Sequence, residues 1–204
     1  MSRALDNYDF NREYGNSLNE TPHRLNITGT VELPLGEGKK WVNQKGLANT
    51  LLGGWSITAF GAYQSGFPVA ISQSNTNSGV LNSGMQRPNQ GNGDPGTSGS
   101  TEDRLNAWFN KSAWTEAAPF TLGNQPRTDT RVRTPFKKNT DVSFQKNTRI
   151  GGSKIFMLRL ELINAFNDPN FLGPGTSFGS SNFGRITAVR GFPRLVQLMT
   201  RFSF

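Results

Sequence analysis

Residues 23–33 alternate strictly: Leu25, Ile27, Gly29, Val31 and Leu33 fall on one side, while Arg24, Asn26, Thr28, Thr30 and Glu32 fall on the other. A period of two marks a strand with two chemically different faces, because successive side chains of extended backbone point to opposite sides. The length of this run also matches that of a strand crossing a bilayer at a tilt. The fold must therefore give the apolar row one environment and the polar row another.

The pattern returns along the chain. A second strand starts at Trp55, with Ile57, Ala59, Gly61 and Tyr63 opposite Ser56, Thr58 and Gln64, although Phe60 and Ala62 blur the alternation. Trp55 and Tyr63 sit at its two ends, like the aromatic anchors of a membrane interface. Residues 139–149 set Val142 and Phe144 against Asp141, Ser143, Gln145 and Asn147. After the turn Gly151-Gly152-Ser153, Phe156, Leu158, Leu160 and Leu162 face away from Arg159 and Glu161. Two charges in mid-strand require water or each other, and a wet barrel interior supplies both. The last strand places Val196, Leu198, Thr200, Phe202 and Phe204 on one face, expected to meet the membrane, and Gln197, Arg201 and Ser203 on the other. Met199 is an apolar intruder on the polar side.

The connections are asymmetric. On one side lie 34–54, with Pro34 to Gly38 breaking the strand and a short amphipathic stretch at 46–52, and the tight turn at 150–154. On the other lie about 72–137 and 167–193, long segments rich in Asn, Ser, Gly, Thr and Pro that show no periodicity, with room for a short strand near 184–189. Residues 1–22 also read as polar loop. Compact soluble domains rarely hold such long structureless connections. Short turns on one side and long loops on the other is the arrangement of an outer-membrane barrel. The expected fold class is all-β: antiparallel transmembrane strands forming part of a barrel.

Composition agrees. Only 34% of residues are hydrophobic and mean hydropathy is −0.54, polar for a chain with one large dry core. Yet 15 Phe and 4 Trp are too many for a disordered chain. No stretch approaches the roughly 20 apolar residues of a membrane helix, so any spanning is by strands. The net charge of +8 is scattered and comes with no nucleic-acid motif, so no nucleic-acid partner is expected.

Three features of the sequence bear on catalysis and metal binding. Gly175-Thr176-Ser177-Phe178-Gly179 fits the G-x-S-x-G spacing, but its flanks are Pro- and Gly-rich and the single His, His23, lies upstream, so no hydrolase is expected. The absence of Cys and the isolation of His23 leave no expected metal site. Asp141 and Glu161 lie on separate strands among cations, where ion pairing explains them better than acid–base catalysis. The expectation is a non-enzyme without cofactor.

Several segments, in order, resemble one family, the Oar-like branch of TonB-dependent transporters. They are Glu13-Tyr14-Gly15 with His23-Arg24; Glu32-Leu33-Pro34-Leu35-Gly36; Leu51-Leu52-Gly53-Gly54-Trp55; Tyr63-Gln64-Ser65-Gly66-Phe67-Pro68; Trp108-Phe109-Asn110; Asn164-Ala165-Phe166-Asn167; and Asn182-Phe183-Gly184-Arg185-Ile186. The ending Gln197 to Phe204 resembles the signal read by the barrel-assembly machinery, with Met199 where Gly is common. The resemblance implies a barrel of about 22 strands closed around an N-terminal plug, importing a scarce ligand with energy delivered by TonB. Residues 1–204 would be the C-terminal part of that barrel, reaching TonB only through a plug not seen in this sequence. A start without an apolar export core also predicts a piece of a larger protein. Outer-membrane lipid and lipopolysaccharide are the expected surroundings. Ligand contact is expected on the long loops, at Trp108, Phe109, Trp114 and Arg127. The alternative is a secreted or periplasmic β-sandwich that stacks carbohydrate on the same aromatic patch.

Overall fold

The computed structural model describes residues 4–6, 8–73 and 86–204. The stretch 74–85 of the expected first long loop and Met1 at the expected start lie outside the described residues. The chain divides into two compact units, one of 24–64, 137–169 and 191–204, the other of 1–23, 65–136 and 170–190.

The first unit is a wall of five antiparallel strands: β1 (Arg24–Glu32), β2 (Trp55–Gln64), β3 (Lys137–Gly151), β4 (Lys154–Ile163) and β5 (Leu195–Ser203). They pair in chain order. At about 3.3 Å per residue, strands of 9 and 10 residues reach roughly 30 Å. Strand β3 is the longest, at 15 residues, and extends past the expected 139–149 at both ends. Gly151 and Gly152 both take positive φ, +124° and +57°, at the β3–β4 hairpin, a backbone that side chains with a Cβ seldom adopt.

The shorter connection between β1 and β2 folds back on itself. Helix α1 (Leu47–Leu52) occupies the amphipathic stretch. Its Asn49 side chain accepts from the Glu37 N–H at 2.9 Å, and Gly53 N–H donates to the Asn49 carbonyl at 2.8 Å. Gly54, at φ +73°, brings its carbonyl within 2.9 Å of the Asn147 N–H, and a Cβ there would run into the Asn147 carbonyl. That close approach starts the β2–β3 ladder.

The second unit corrects the expectation that the long connections are structureless. Two-residue strand pairs join Asn89–Gln90 to Trp114–Thr115, Asn170–Phe171 to Val189–Arg190, and Ser72–Gln73 to Ser177–Phe178. Pro68–Val69 pairs with Asp129–Arg133. These strands are too short to show a period of two, which is why the sequence reads as loop. A 3-10 turn at Phe10–Glu13 likewise replaces loop in the N-terminal stretch. The hydrophobic core lies here: Val69, Ile71, Trp108, Phe109, Ala113, Trp114, Val132, Phe183 and Ile186. None of the buried apolar residues is on β1–β5.

Phe109 is the centre of that core, edge-to-face with Trp114 at 5.0 Å and Phe183 at 4.9 Å between ring centroids. Phe109→Ala should cost about 3–5 kcal/mol through the cavity it leaves. The expected readout in the membrane-reconstituted protein is earlier proteolysis within 86–136, with the strands still protected; an unchanged digestion pattern would refute the assignment of this core.

Candidate functional site

The site is the sheet itself, because its two faces differ row by row. Register places Val31, Ile57, Phe144, Leu160 and Leu198 side by side across all five strands, an entirely apolar row. One residue along, Thr30, Thr58, Ser143, Glu161 and Gln197 form an entirely polar row on the opposite face. A second apolar row runs through Gly29, Ala59, Val142, Leu162 and Val196.

Among the described residues of this unit, nothing covers the apolar face. Ile27, Val31, Val196 and Leu198 are 54, 63, 65 and 66% exposed. Leaving six or more such side chains in water would forfeit on the order of 10 kcal/mol or more, as much as an ordinary domain's whole stability. A water-filled surrounding is therefore the wrong one for this face. Its ends carry polar anchors. Tyr63 Oη lies 3.3 Å from Thr140 Oγ1, and Lys138 Nζ is 2.7 Å from Asp168 at the same end. At the other end Lys146 Nζ lies 5.6 Å from the Trp55 ring.

The polar face pairs its central groups, although Arg159 Nε is buried without a hydrogen-bond partner among the described residues. Arg159 and Glu161 pair at 2.6 Å, so the two mid-strand charges find each other. Thr30 and Thr58 share a hydroxyl hydrogen bond of 2.9 Å across the β1–β2 ladder. Asp141 Oδ1 accepts from Asn139 Nδ2 and from the Asn164 N–H, both at 2.9 Å. Thr58, Phe60, Asp141, Ser143, Arg159 and Glu161 line a shallow hollow there. Strands β1 and β5 each have a ladder on one side only, which leaves two open edges.

A family model described as an outer membrane beta barrel domain matches residues 1–197. The chain belongs to that family. The outer membrane β-barrel domain is thus an outer-membrane protein whose sheet is part of a barrel wall. Comparison with curated proteins and with solved structures gave no match.

Within the barrel domain, the terminal row falls as expected on one face. Val196, Leu198, Thr200 and Phe202 are in register with Leu162, Leu160, Leu158 and Phe156, and Phe204 follows them at 92% exposure. The loop residues fall otherwise. Trp108, Phe109 and Trp114 are 7, 1 and 2% exposed, so they build the loop unit's interior and offer no open stacking surface. An aromatic cluster reads alike in sequence whether it is a platform or a core; here Phe178 and Phe183 complete it from the inside. Trp108 donates its indole N–H to the Arg133 carbonyl at 2.7 Å, with Arg104 stacked 3.9 Å from the ring. Arg127 is partly exposed, 3.9 Å from Glu13.

Two polar networks brace this core, and neither is visible in sequence order. Trp114 Nε1 donates to Gln125 (2.9 Å), Gln125 donates to Asp129 (3.0 Å), and Arg131 grips both Asp129 oxygens at 3.0 and 2.8 Å. Arg87 donates two 2.7 Å bonds to Glu13, which also accepts from the Leu5 N–H at 2.9 Å. This ties the N-terminal segment to the loop core. The Ser177 stretch pairs as a two-residue strand and turns at 180, with no strand-to-helix elbow. Among the described residues no cluster of three His, Cys, Asp or Glu could hold a metal.

Burial pushes the Asp129 carboxyl up, but hydrogen bonds from Arg131 and Gln125 and the Arg131 charge outweigh it and hold the group below the usual carboxylate range. A lowered native value means that the charge contributes stability in full above the unfolded value near 4, and that this is lost as pH falls through the native value. Glu13 behaves likewise: burial raises it, while Leu5, Arg87 and Arg127 lower it further. Loop-unit stability, followed by Trp108 and Trp114 fluorescence, should fall below about pH 4. Asp129→Asn should lower it at neutral pH and flatten the acid slope; an identical slope would show that Asp129 is not the source.

Proposed function

We propose that the chain forms part of the wall of a TonB-dependent transporter barrel of the Oar-like branch, with the apolar rows against lipid and the polar rows lining the lumen. The observation that carries the wall reading is the complete change from apolar to polar between neighbouring transverse rows, with the apolar side uncovered. The transporter reading rests on the ordered set of family-like segments, on the long connections and on a lumen face that carries the Arg159–Glu161 ion pair. In this reading the strand ends bearing the long connections are extracellular and the short ones periplasmic.

Five strands cannot close, since closed bacterial barrels start at about eight. Open edges leave unpaired N–H and C=O groups, which hydrocarbon does not tolerate. The wall therefore works with further strands, and β5 is the strand we assign to the barrel-assembly machinery. The domain is assigned no catalysis and no cofactor, and TonB is contacted through a plug rather than by these strands. The carbohydrate-binding sandwich loses its support, because a sandwich needs a second sheet over the apolar face and the aromatic patch is internal.

The two faces give a paired test. Leu198→Arg, near the middle of the lipid-facing row, should destabilise the bilayer-reconstituted protein by about 2–4 kcal/mol, whereas Gln197→Arg on the lumen face should change it little. Equal effects in urea titrations would sink the assignment of faces. For transport, deletion of the gene and deletion of TonB in the source cell should abolish uptake of the same solute. If no solute depends on both, the transporter reading falls while the wall reading stands.

A further inference from the structure

The charges on the lipid-facing side are treated unequally. Lys138, at the long-connection end, is neutralised by Asp168 at 2.7 Å. Lys146, eight residues further along β3 on the same face, has no carboxylate within 4 Å among the described residues. Its Nζ donates to the Gly53 carbonyl at 2.6 Å and lies 5.6 Å from the Trp55 ring, leaving two of its three protons unspent. Register fixes its neighbours as Trp55 on β2 and Leu158 on β4, so the residue is flanked by two apolar side chains while its ammonium reaches the Gly53 carbonyl. Lys154 follows on the same face at the hairpin end.

Trp55 and Leu158, the register neighbours of Lys146, also wall a groove of about 420 Å³ together with Phe144, Leu160 and Leu198, while Lys146 itself lines the polar hollow beside α1 with Gly53 and Asn147. All five groove residues belong to the row of Lys146 and the next row toward mid-strand. A cation at the interface level, beside a Trp that also walls an apolar channel, matches an amphiphile with an anionic head and a hydrocarbon tail. Charge-assisted hydrogen bonds to phosphate suit a lysine whose carbonyl contact leaves its charge unmatched.

We propose that Lys146 and this groove bind an anionic glycerophospholipid of the leaflet on the short-connection side, its phosphate on Lys146 Nζ and one acyl chain along Phe144 and Leu160. The proposal rests on the wall reading above, because the groove must face lipid. No other element is needed: the head contact comes from β3 and the tail contacts from β2 to β5.

The test uses the complete barrel that contains this wall, reconstituted in phosphatidylcholine vesicles that contain an equal share of either brominated phosphatidylglycerol or brominated phosphatidylcholine. Trp55 emission is taken as the difference from Trp55→Phe. Bromine on phosphatidylglycerol should quench as though that lipid were enriched about fivefold beside Trp55. Lys146→Gln should remove the preference and leave quenching by phosphatidylcholine in place, and Lys146→Arg should keep it. Equal quenching by both lipids in the unmodified chain, or a preference that survives Lys146→Gln, overturns the lipid site alone. Absence of quenching by either lipid overturns the wall reading together with it.

Discussion

Inside a hydrocarbon layer every backbone N–H and C=O must find its partner within the protein, and the β1–β5 ladder is how this chain meets that demand. Once the strands pair in register, the side chains have no further choice. Those of one parity point out and those of the other point in, so Leu198 and Gln197 are committed to opposite media by a single peptide unit. The ladder also explains why the wall lacks a core of its own. In the proposed wall its apolar side chains gain their stabilisation from lipid, and none of the buried apolar residues lies on β1–β5. The same demand leaves β1 and β5 as edges that only further strands can satisfy.

The loop unit solves a different problem. It stands outside the regular ladder, so its stability comes from a dry core like that of a soluble domain. Phe109, Trp114, Phe178 and Phe183 interlock edge-to-face, and two buried carboxylates near them are paired: Asp129 with Arg131 and Gln125, Glu13 with Arg87. These pairs carry charge into the interior at a desolvation cost that only complete hydrogen bonding offsets.

How far the sequence could be read follows from the range of the interactions. Strands β1, β2, β4 and β5 were legible to within a residue or two, because alternation is a local signal that each strand carries in full. The apolar rows of Val196, Leu198, Thr200 and Phe202 were legible for the same reason. Trp108, Phe109 and Trp114 stand out in the sequence but their burial does not, since the Phe183 ring that packs on Phe109 and Trp114 lies 74 and 69 positions away from them. The Glu13–Arg87 bond spans 74 positions and leaves no local trace. Short strands such as Ser72–Gln73 and Ser177–Phe178 pair in parallel from distant segments, and two residues cannot show a period.

By itself, then, the sequence determined which residues of the wall share a face and which ends of the strands bear the long connections, because a period of two and the placement of Gly and Pro act within a few residues. The tertiary structure alone decided that the long connections are a packed unit with its own aromatic core and buried ion pairs, and that Lys146 has only a carbonyl partner while Lys138 is paired. Those features arise from side chains far apart in the chain meeting in space, and no local pattern encodes such meetings.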